Sequence, residues 1–219
     1  DVKLVEIQRS RGYSSRDSLT IEKIEKAIKA IREVNDEVII MVDNCYGELV
    51  EKQEPGHIGA DVVVGSLMKN LGGGVASTGG YVAGRKDLIE MVADRLTSPG
   101  IGKDLGANFN LNNSFFKGIF MAPSAVKNAL QTAVFTSYML EKLGYENISP
   151  RYNEYRTDII QTIGLGNKDN LVKFTQGSTI ELSADAPVIE PYVLFLQGSL
   201  TLEYGKISIL KALTSMQND

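Results

Sequence analysis

Val38-Ile39-Ile40-Met41-Val42-Asp43 is an unbroken apolar run closed by a carboxylate. Continuous rather than alternating hydrophobicity marks a strand covered on both faces, the habit of parallel sheets between helical layers. Upstream, Ile21, Ile24, Ile28 and Ile31 recur at helical spacing from Thr20, with Ser18 or Thr20 available as N-cap and Glu22 in the first turn. Before that helix, Val2–Ile7 is a short β-rich run, followed by the polar stretch Gln8–Ser18, which contains Gly12 and reads as a loop. Strand, helix, strand makes a βαβ unit. Downstream, Asp61-Val62-Val63-Val64-Gly65 is a second buried run ending at Ser66, and Val75–Ala83 with its Gly79-Gly80 pair reads as further strands bending around a turn. The expected architecture is α/β with a mostly parallel sheet.

The remaining chain suggests a change of organisation. Lys86–Arg95 reads as a helix, and Pro99 with Gly100, Gly102 and Gly106 then breaks regular structure as a loop or hinge. Phe115–Leu143 is apolar at helical spacing, with an interruption expected near Pro123. Beyond Pro150 short strands are expected at Thr179–Leu182 and Tyr192–Leu196, and a closing helix at Glu203–Met216. The resulting division is a large domain over residues 1–110, connecting helices over 111–149 and a small α+β domain over 150–219. No internal repeat or low-complexity tract is present.

Composition narrows the function classes. The 219 residues carry 23 basic and 27 acidic side chains, a net charge of −4, with no polybasic run, so a nucleic-acid partner is not expected. No apolar stretch approaches the roughly 20 residues of a membrane span, and no signal pattern opens the chain. The single cysteine, Cys45, cannot form an intramolecular disulfide, which favours a reducing compartment, with the cytoplasm as the expected location. The chain opens without Met, directly in a strand-like segment, and the true N-terminus is expected upstream.

In open α/β sheets ligands bind at the carboxyl ends of strands, and here those ends carry Asp43 and Ser66-Leu67-Met68-Lys69. A carboxylate ends one buried strand, and a lysine follows the next, with a serine three residues before it. A partly desolvated lysine amine has its charged form disfavoured and attacks an aldehyde readily. A buried carboxylate can keep a pyridine nitrogen protonated, and a hydroxyl with nearby backbone N–H groups suits a phosphate. These three demands are those of pyridoxal 5'-phosphate, and Lys69, Asp43 and Ser66 meet them in turn. Gly72-Gly73-Gly74 would let backbone pass close to a ligand. Taken singly, a lysine after a strand is more often a solvated surface residue and an aspartate there more often a turn or cap.

The stretches Gln8–Tyr13, Asp43-Asn44-Cys45-Tyr46-Gly47-Glu48, Gly65–Asn70 with its triple glycine, Thr78–Tyr81, Gly177–Asp185 and Leu196-Gln197-Gly198 together span nearly the whole chain. It closely resembles the methionine γ-lyase-like proteins, also called aluminium-resistance or cystathionine β-lyase-related proteins. The resemblance implies a fold-type I, aspartate aminotransferase-like pyridoxal-phosphate enzyme, seen as the C-terminal part of its large domain plus a small domain. It implies Lys69 as Schiff-base lysine, Asp43 on the ring nitrogen and Ser66 toward the phosphate. The activity implied is carbon–sulfur lysis of cystathionine- or methionine-like amino acids by β- or γ-elimination, in a homodimer or homotetramer. Aldol cleavage, transamination and a non-catalytic role in metal resistance are the alternatives. Two features depart from the family: the upstream half of the large domain is absent, and Leu171–Phe174 passes directly to Thr175-Gln176-Gly177 where relatives carry a longer insert.

Other residues carry weaker readings. Cys45 and Tyr46 could line the cofactor pocket, although a cysteine after a buried strand is more often a small core residue. Arg9, Arg11 and Arg16 could hold a substrate carboxylate or the cofactor's phenolic oxygen, against the commoner reading of solvated loop arginines. His57, the only histidine, lacks companions for a metal or a triad and reads as a surface residue, so no metal site is expected. Gly100-Ile101-Gly102-Lys103 lacks the spacing and the Ser or Thr of a nucleotide phosphate loop, and Gly164-Leu165-Gly166 lacks a dinucleotide fingerprint's third glycine.

Overall fold

A computed structural model describes residues 2–12, 14, 16–96, 100–102, 110–167, 170 and 174, together with two strands at 200–203 and 206–209. The chain divides into two compact units, one of residues 1–11 and 15–126, the other of residues 12–14 and 127–219.

The first unit holds a four-stranded sheet in the order β1 (Leu4–Gln8), β2 (Ile39–Asp43), β3 (Val62–Ser66) and β4 (Gly80–Gly84). The first three strands run parallel and β4 pairs antiparallel with β3, so the sheet is mostly parallel, as expected. Helix α1 (Ile21–Val34) crosses from β1 to β2, with Thr20 as its N-cap accepting the N–H of Lys23 at 3.1 Å. Its buried stripe of Ile21, Ile24 and Ile28 lies at the predicted 3.6-residue spacing. Ile24 and Ile28 pack with Ile7, Val38, Ile40 and Val42 from β1 and β2 to make the core. Val42 and Val63 are register partners, as are Asp43 and Val64. The α1 side of the sheet is therefore apolar, and the Asp43 side is the opposite face.

Two sequence expectations in this unit are corrected. Where strands were expected over Val75–Ala83, only β4 at Gly80–Gly84 forms. The glycine triplet ahead of it folds into turns, with the N–H groups of Val75 and Ala76 both donating to the Gly72 carbonyl. After α2 (Lys86–Leu96), helix α3 runs unbroken from Asn112 to Lys142 with Pro123 inside it, where an interruption was expected. Pro123 is exposed while its neighbours Ala122 and Val126 are buried, so packing on both sides of the proline holds the helix through the lost hydrogen bond.

The second unit takes the part of α3 from Lys127 onward and an antiparallel sheet in the order β5 (Ile148–Ser149), β6 (Thr162–Gly164), β8 (Lys206–Ile209) and β7 (Leu200–Glu203). Leu140, Ile148, Ile163 and Leu165 form its core cluster. The Pro150 carbonyl accepts from the side chains of Ser137, Arg156 and Gln161, a polar knot that fixes the turn after β5. The closing helix expected over Glu203–Met216 is overturned at Glu203 and at Lys206–Ile209, which are strand. In Lys206-Ile207-Ser208-Ile209 polar and β-branched residues alternate, a period of two that favours a strand over a helix. The strands expected at Thr179–Leu182 and Tyr192–Leu196 lie outside the described residues.

Asp61, just before β3, ties three elements of the first unit together. Its carboxylate accepts the N–H of Ile40 at 2.8 Å and pairs with Arg32 of α1 and with Arg85 at 3.2 Å. Burial by itself would raise the carboxyl, but the Ile40 N–H and the two guanidinium groups outweigh it and hold Asp61 below the usual carboxylate range. Asp61→Asn is expected to lower the unfolding free energy by about 2 kcal/mol at neutral pH. Because the folded-state carboxyl is the stronger acid, this advantage is complete above the unfolded value near pH 4 and fades as pH falls through the folded value. Urea denaturation of both proteins across that range checks it, and a difference independent of pH would contradict the assignment.

Candidate active site at the carboxyl end of the sheet

Because β2 and β3 are parallel neighbours, the segments leaving them emerge at the same edge, and the N–H of Asn44 continues the ladder to the Val64 carbonyl at 2.9 Å. Beyond Asp43 the chain turns at once: the Asp43 carboxylate accepts the N–H of Cys45 at 2.9 Å, and the N–H of Gly47 returns to the Asn44 carbonyl at 2.9 Å. Tyr46 sits inside this turn, buried, with φ of +71°, a left-handed conformation uncommon for an aromatic residue. Beyond β3 the Ser66 hydroxyl accepts the N–H of Met68 at 3.0 Å, and the N–H of Gly72 closes a turn on the Lys69 carbonyl at 3.0 Å. The two turns bring the Lys69 ammonium over the Tyr46 ring, 4.1 Å from its centroid. Asp43 and Ser66 share a sheet face, since Asp43 pairs with Val64 and Ser66 lies two residues further along β3.

The surroundings of Lys69 differ from the sequence expectation of an amine biased toward its neutral form. Burial does favour the neutral amine, but the neighbouring Tyr46 and Cys45 favour the ammonium more, and the net effect holds Lys69 above its usual range. Cys45 lies within the fields of both groups proposed from the sequence. Burial pushes its thiol up to about 11, Lys69 opposes that rise, and Asp43 adds to it. Cys45 is half-buried, with Asp43 and Lys69 both acting on its thiol.

Within the glycine triplet, Gly73 is required for packing. Gly73 has φ of +57°, and a Cβ there would run into the Gly118 carbonyl and stand 2.9 Å from the Ala122 nitrogen of α3. The turn carrying Lys69 is therefore pressed backbone to backbone against the first part of α3.

Sequence reasoning missed a buried group on the α1 side of this edge. Glu48, 2% exposed, accepts the Tyr81 hydroxyl of β4 at 3.0 Å, and its backbone carbonyl accepts the Asn70 amide at 2.9 Å. Gly65 makes room for this pair, because a Cβ there would lie 2.6 Å from the Glu48 carboxylate and collide with the Tyr81 ring. Burial pushes the Glu48 carboxyl up to about 7, against the Tyr81 hydrogen bond and the charge of Lys69. The only hint in the sequence was the Glu48 that closes Asp43-Asn44-Cys45-Tyr46-Gly47-Glu48.

The donor set fits pyridoxal phosphate. Lys69 forms no salt bridge among the described residues, and its ammonium lies against the Tyr46 ring and near the Cys45 thiol. The Asp43 carboxylate accepts the N–H of Cys45, has the Cys45 thiol beside it and carries the charge that a cationic ring nitrogen would pair with, and the Ser66 hydroxyl, which accepts from Met68, keeps its proton to donate. Among the described residues no three His, Cys, Asp or Glu side chains converge as metal ligands do, and no helix is long and apolar enough to cross a membrane.

The sequence profile of methionine gamma-lyase matches residues 1–176 and 173–217. The chain belongs to the methionine gamma-lyase family. The two matched segments overlap at residues 173–176. A Listeria innocua member with the provisional name cystathionine beta-lyase involved in aluminum resistance is 37% identical, superposes with a TM-score of 0.83, and is matched over 98% of this chain and 58% of its own. A carbon-sulfur lyase involved in aluminum resistance from Clostridium novyi is 36% identical with a TM-score of 0.79, over 99% and 57% of the two chains. Bacillus subtilis YnbB is 39% identical over 98% of this chain and 59% of its own. The chain thus spans somewhat more than half the length of these relatives. Apo CalE6, a methionine gamma lyase from Micromonospora echinospora, is 15% identical with a TM-score of 0.58, which shows a shared fold.

Of the three arginines in the first loop of this methionine gamma-lyase family member, Arg9 and Arg11 are buried rather than solvated, whereas Arg16 is exposed, as the commoner reading expected. Arg9 is fully buried, paired with Glu51 at 2.8 Å and Glu54 at 3.2 Å, and bonded to the Asn44 amide oxygen at 2.7 Å. Glu51 also accepts the N–H of Ile21 at the start of α1, so one guanidinium joins β1, α1 and the loop that follows Asp43. Arg11 is buried and paired with Asp17 at 3.6 Å, and Arg16 donates to the carbonyls of Gln8, Ser10 and Asp17. His57 is exposed, as expected, and accepts the N–H of Glu54. Arg9→Met would strand two carboxylates around an apolar side chain, with an expected destabilisation of about 3 kcal/mol. Thermal or urea denaturation checks it, and a change below experimental error would show that the network is not a structural clamp.

Proposed function

We propose that this chain is the cofactor-binding and C-terminal portion of a fold-type I pyridoxal-phosphate-dependent carbon–sulfur lyase acting on sulfur amino acids. The observation that supports this reading is the pair of turns at one sheet edge, where the Asp43 carboxylate accepts the N–H of Cys45 and the Lys69 ammonium lies 4.1 Å from the ring centroid of Tyr46, the next residue. Lys69 would hold the cofactor through its aldehyde carbon, Asp43 through the ring nitrogen and Ser66 through the phosphate. When bound, the cofactor supplies an electron sink for charge developing at the substrate Cα.

The residues of the chain divide the remaining work. Asp43, fixed by the N–H of Cys45, presents its carboxylate in one orientation and favours a protonated pyridine nitrogen. Tyr46 lies against the Lys69 ammonium and limits where the amine can swing. With its amine free, Lys69 is the base placed to remove the Cα proton of a bound amino acid, after which the carbon–sulfur bond at Cβ or Cγ breaks. The names of the Clostridium novyi and Listeria innocua relatives favour this reaction class over aldol cleavage or transamination. A homodimer or homotetramer of the full-length protein in the cytoplasm is part of the proposal.

Lys69→Ala in the full-length protein is expected to abolish the visible absorbance of the bound cofactor and to leave no borohydride-stabilised adduct on the peptide that contains residue 69. Turnover of cystathionine or methionine should fall by at least a thousandfold. Retained adduct and turnover in that variant would reject Lys69. Cleavage of threonine without release of a thiol from either sulfur amino acid would reject the lyase in favour of an aldolase.

A further inference from the structure

Glu48 is the group in this region that the reaction outlined above does not use. It is 2% exposed, and its carboxyl oxygen Oε2 has no hydrogen-bond partner, although Oε1 accepts from Tyr81. The Asn70 amide oxygen is likewise buried without a partner, while the amide nitrogen of the same side chain donates to the Glu48 carbonyl. A fully ionised carboxylate with one orphaned oxygen in such a place carries a large desolvation penalty, which a neutral acid avoids by keeping its proton. Gly65 is required for the arrangement, since any larger residue would occupy the space of Oε1 and the Tyr81 ring.

Glu48 also touches the turn that bears the amine, because Asn70 immediately follows Lys69. The groups that act on its charge from the elements around it are the Tyr81 hydroxyl on β4, the Lys69 ammonium after β3 and Glu54 ahead of the short helix Pro55–Ile58. On its own loop Cys45 also feels the charge of Glu48.

We propose that Glu48, held by Tyr81, is a positioning residue for Lys69: a buried acid that keeps a proton beside the amine and, on releasing it, strengthens the hold of the site on the ammonium form. This rests on the reading of Lys69 as the cofactor-binding amine. The direction follows from charge alone. A neutral Glu48 leaves Lys69 freer to deprotonate, whereas an ionised Glu48 favours its ammonium. With the Glu48 carboxyl pushed up to about 7, the change falls within the physiological range.

The test measures the Lys69 amine without turnover, in the full-length protein freed of cofactor. The labelling rate of Lys69 by trinitrobenzenesulfonate is followed against pH by peptide-resolved mass spectrometry. The wild-type profile is expected to inflect near neutrality, and Glu48→Gln, which keeps an acceptor for Tyr81, is expected to lose the inflection and to label about threefold faster above it. A second measurement does not depend on that variant folding. The infrared carbonyl band of a protonated carboxyl should titrate near neutrality in the wild type, and Tyr81→Phe should move its midpoint upward because the ionised form loses a donor. A wild-type profile without inflection, an inflection that persists in Glu48→Gln, or a carboxyl band that titrates in the ordinary range would each overturn the proposal. Labelling needs no cofactor, so cofactor bound away from Lys69 would reject the functional reading while leaving these titration results intact.

Discussion

The parallel pairing of β2 with β3 is the constraint on which the site depends. Two strands that run the same way must end at the same edge, so the residues that follow them meet although they are far apart in the chain. Here that rule brings the Asp43–Glu48 turn and the Ser66–Gly72 turn together and sets the Lys69 ammonium on the Tyr46 ring. An antiparallel pairing of the same strands would send one turn to the opposite end of the sheet.

The edge is held from three directions. Arg9 anchors the loop beyond Asp43 by ion pairs with Glu51 and Glu54 and by its bond to Asn44, and a Cβ on Gly47 would stand only 2.6 Å from the Arg9 side chain. The first part of α3 presses on Gly73 and fixes the turn that carries Lys69. Glu48 links both turns to β4 through Asn70 and Tyr81. The Arg9 and Glu48 supports each place a polar or charged group out of water, which is expensive unless the partners are already in position. The two turns are therefore positioned by contacts within the chain itself.

Much of this was legible in the sequence where hydrophobic period and burial go together. The βαβ unit followed from the isoleucine stripe of α1 and from the continuous apolar runs of β2 and β3, because those residues pack wherever the backbone carries them. The placement of Asp43 and Ser66 at the ends of β2 and β3, with Lys69 just beyond, was legible because strand ends are. Arg9 was not, since a loop arginine looks solvated until its carboxylate partners, more than forty residues away, are known. Glu48 and Tyr81 were hidden for the same reason, their bond spanning 33 residues of sequence. Pro123 misled because its local penalty was read without the packing of Ala122 and Val126, and the end of the chain misled because a short alternating stretch was read as a helix.

The central claim is that Lys69 and Asp43 hold one cofactor between them. A crystal structure of the full-length protein grown with pyridoxal phosphate tests it directly. The account predicts continuous density from the Lys69 amine to the cofactor, with the Asp43 carboxylate in hydrogen-bond contact with the ring nitrogen. Cofactor joined to another lysine, or an Asp43 carboxylate turned away from the ring, would contradict it.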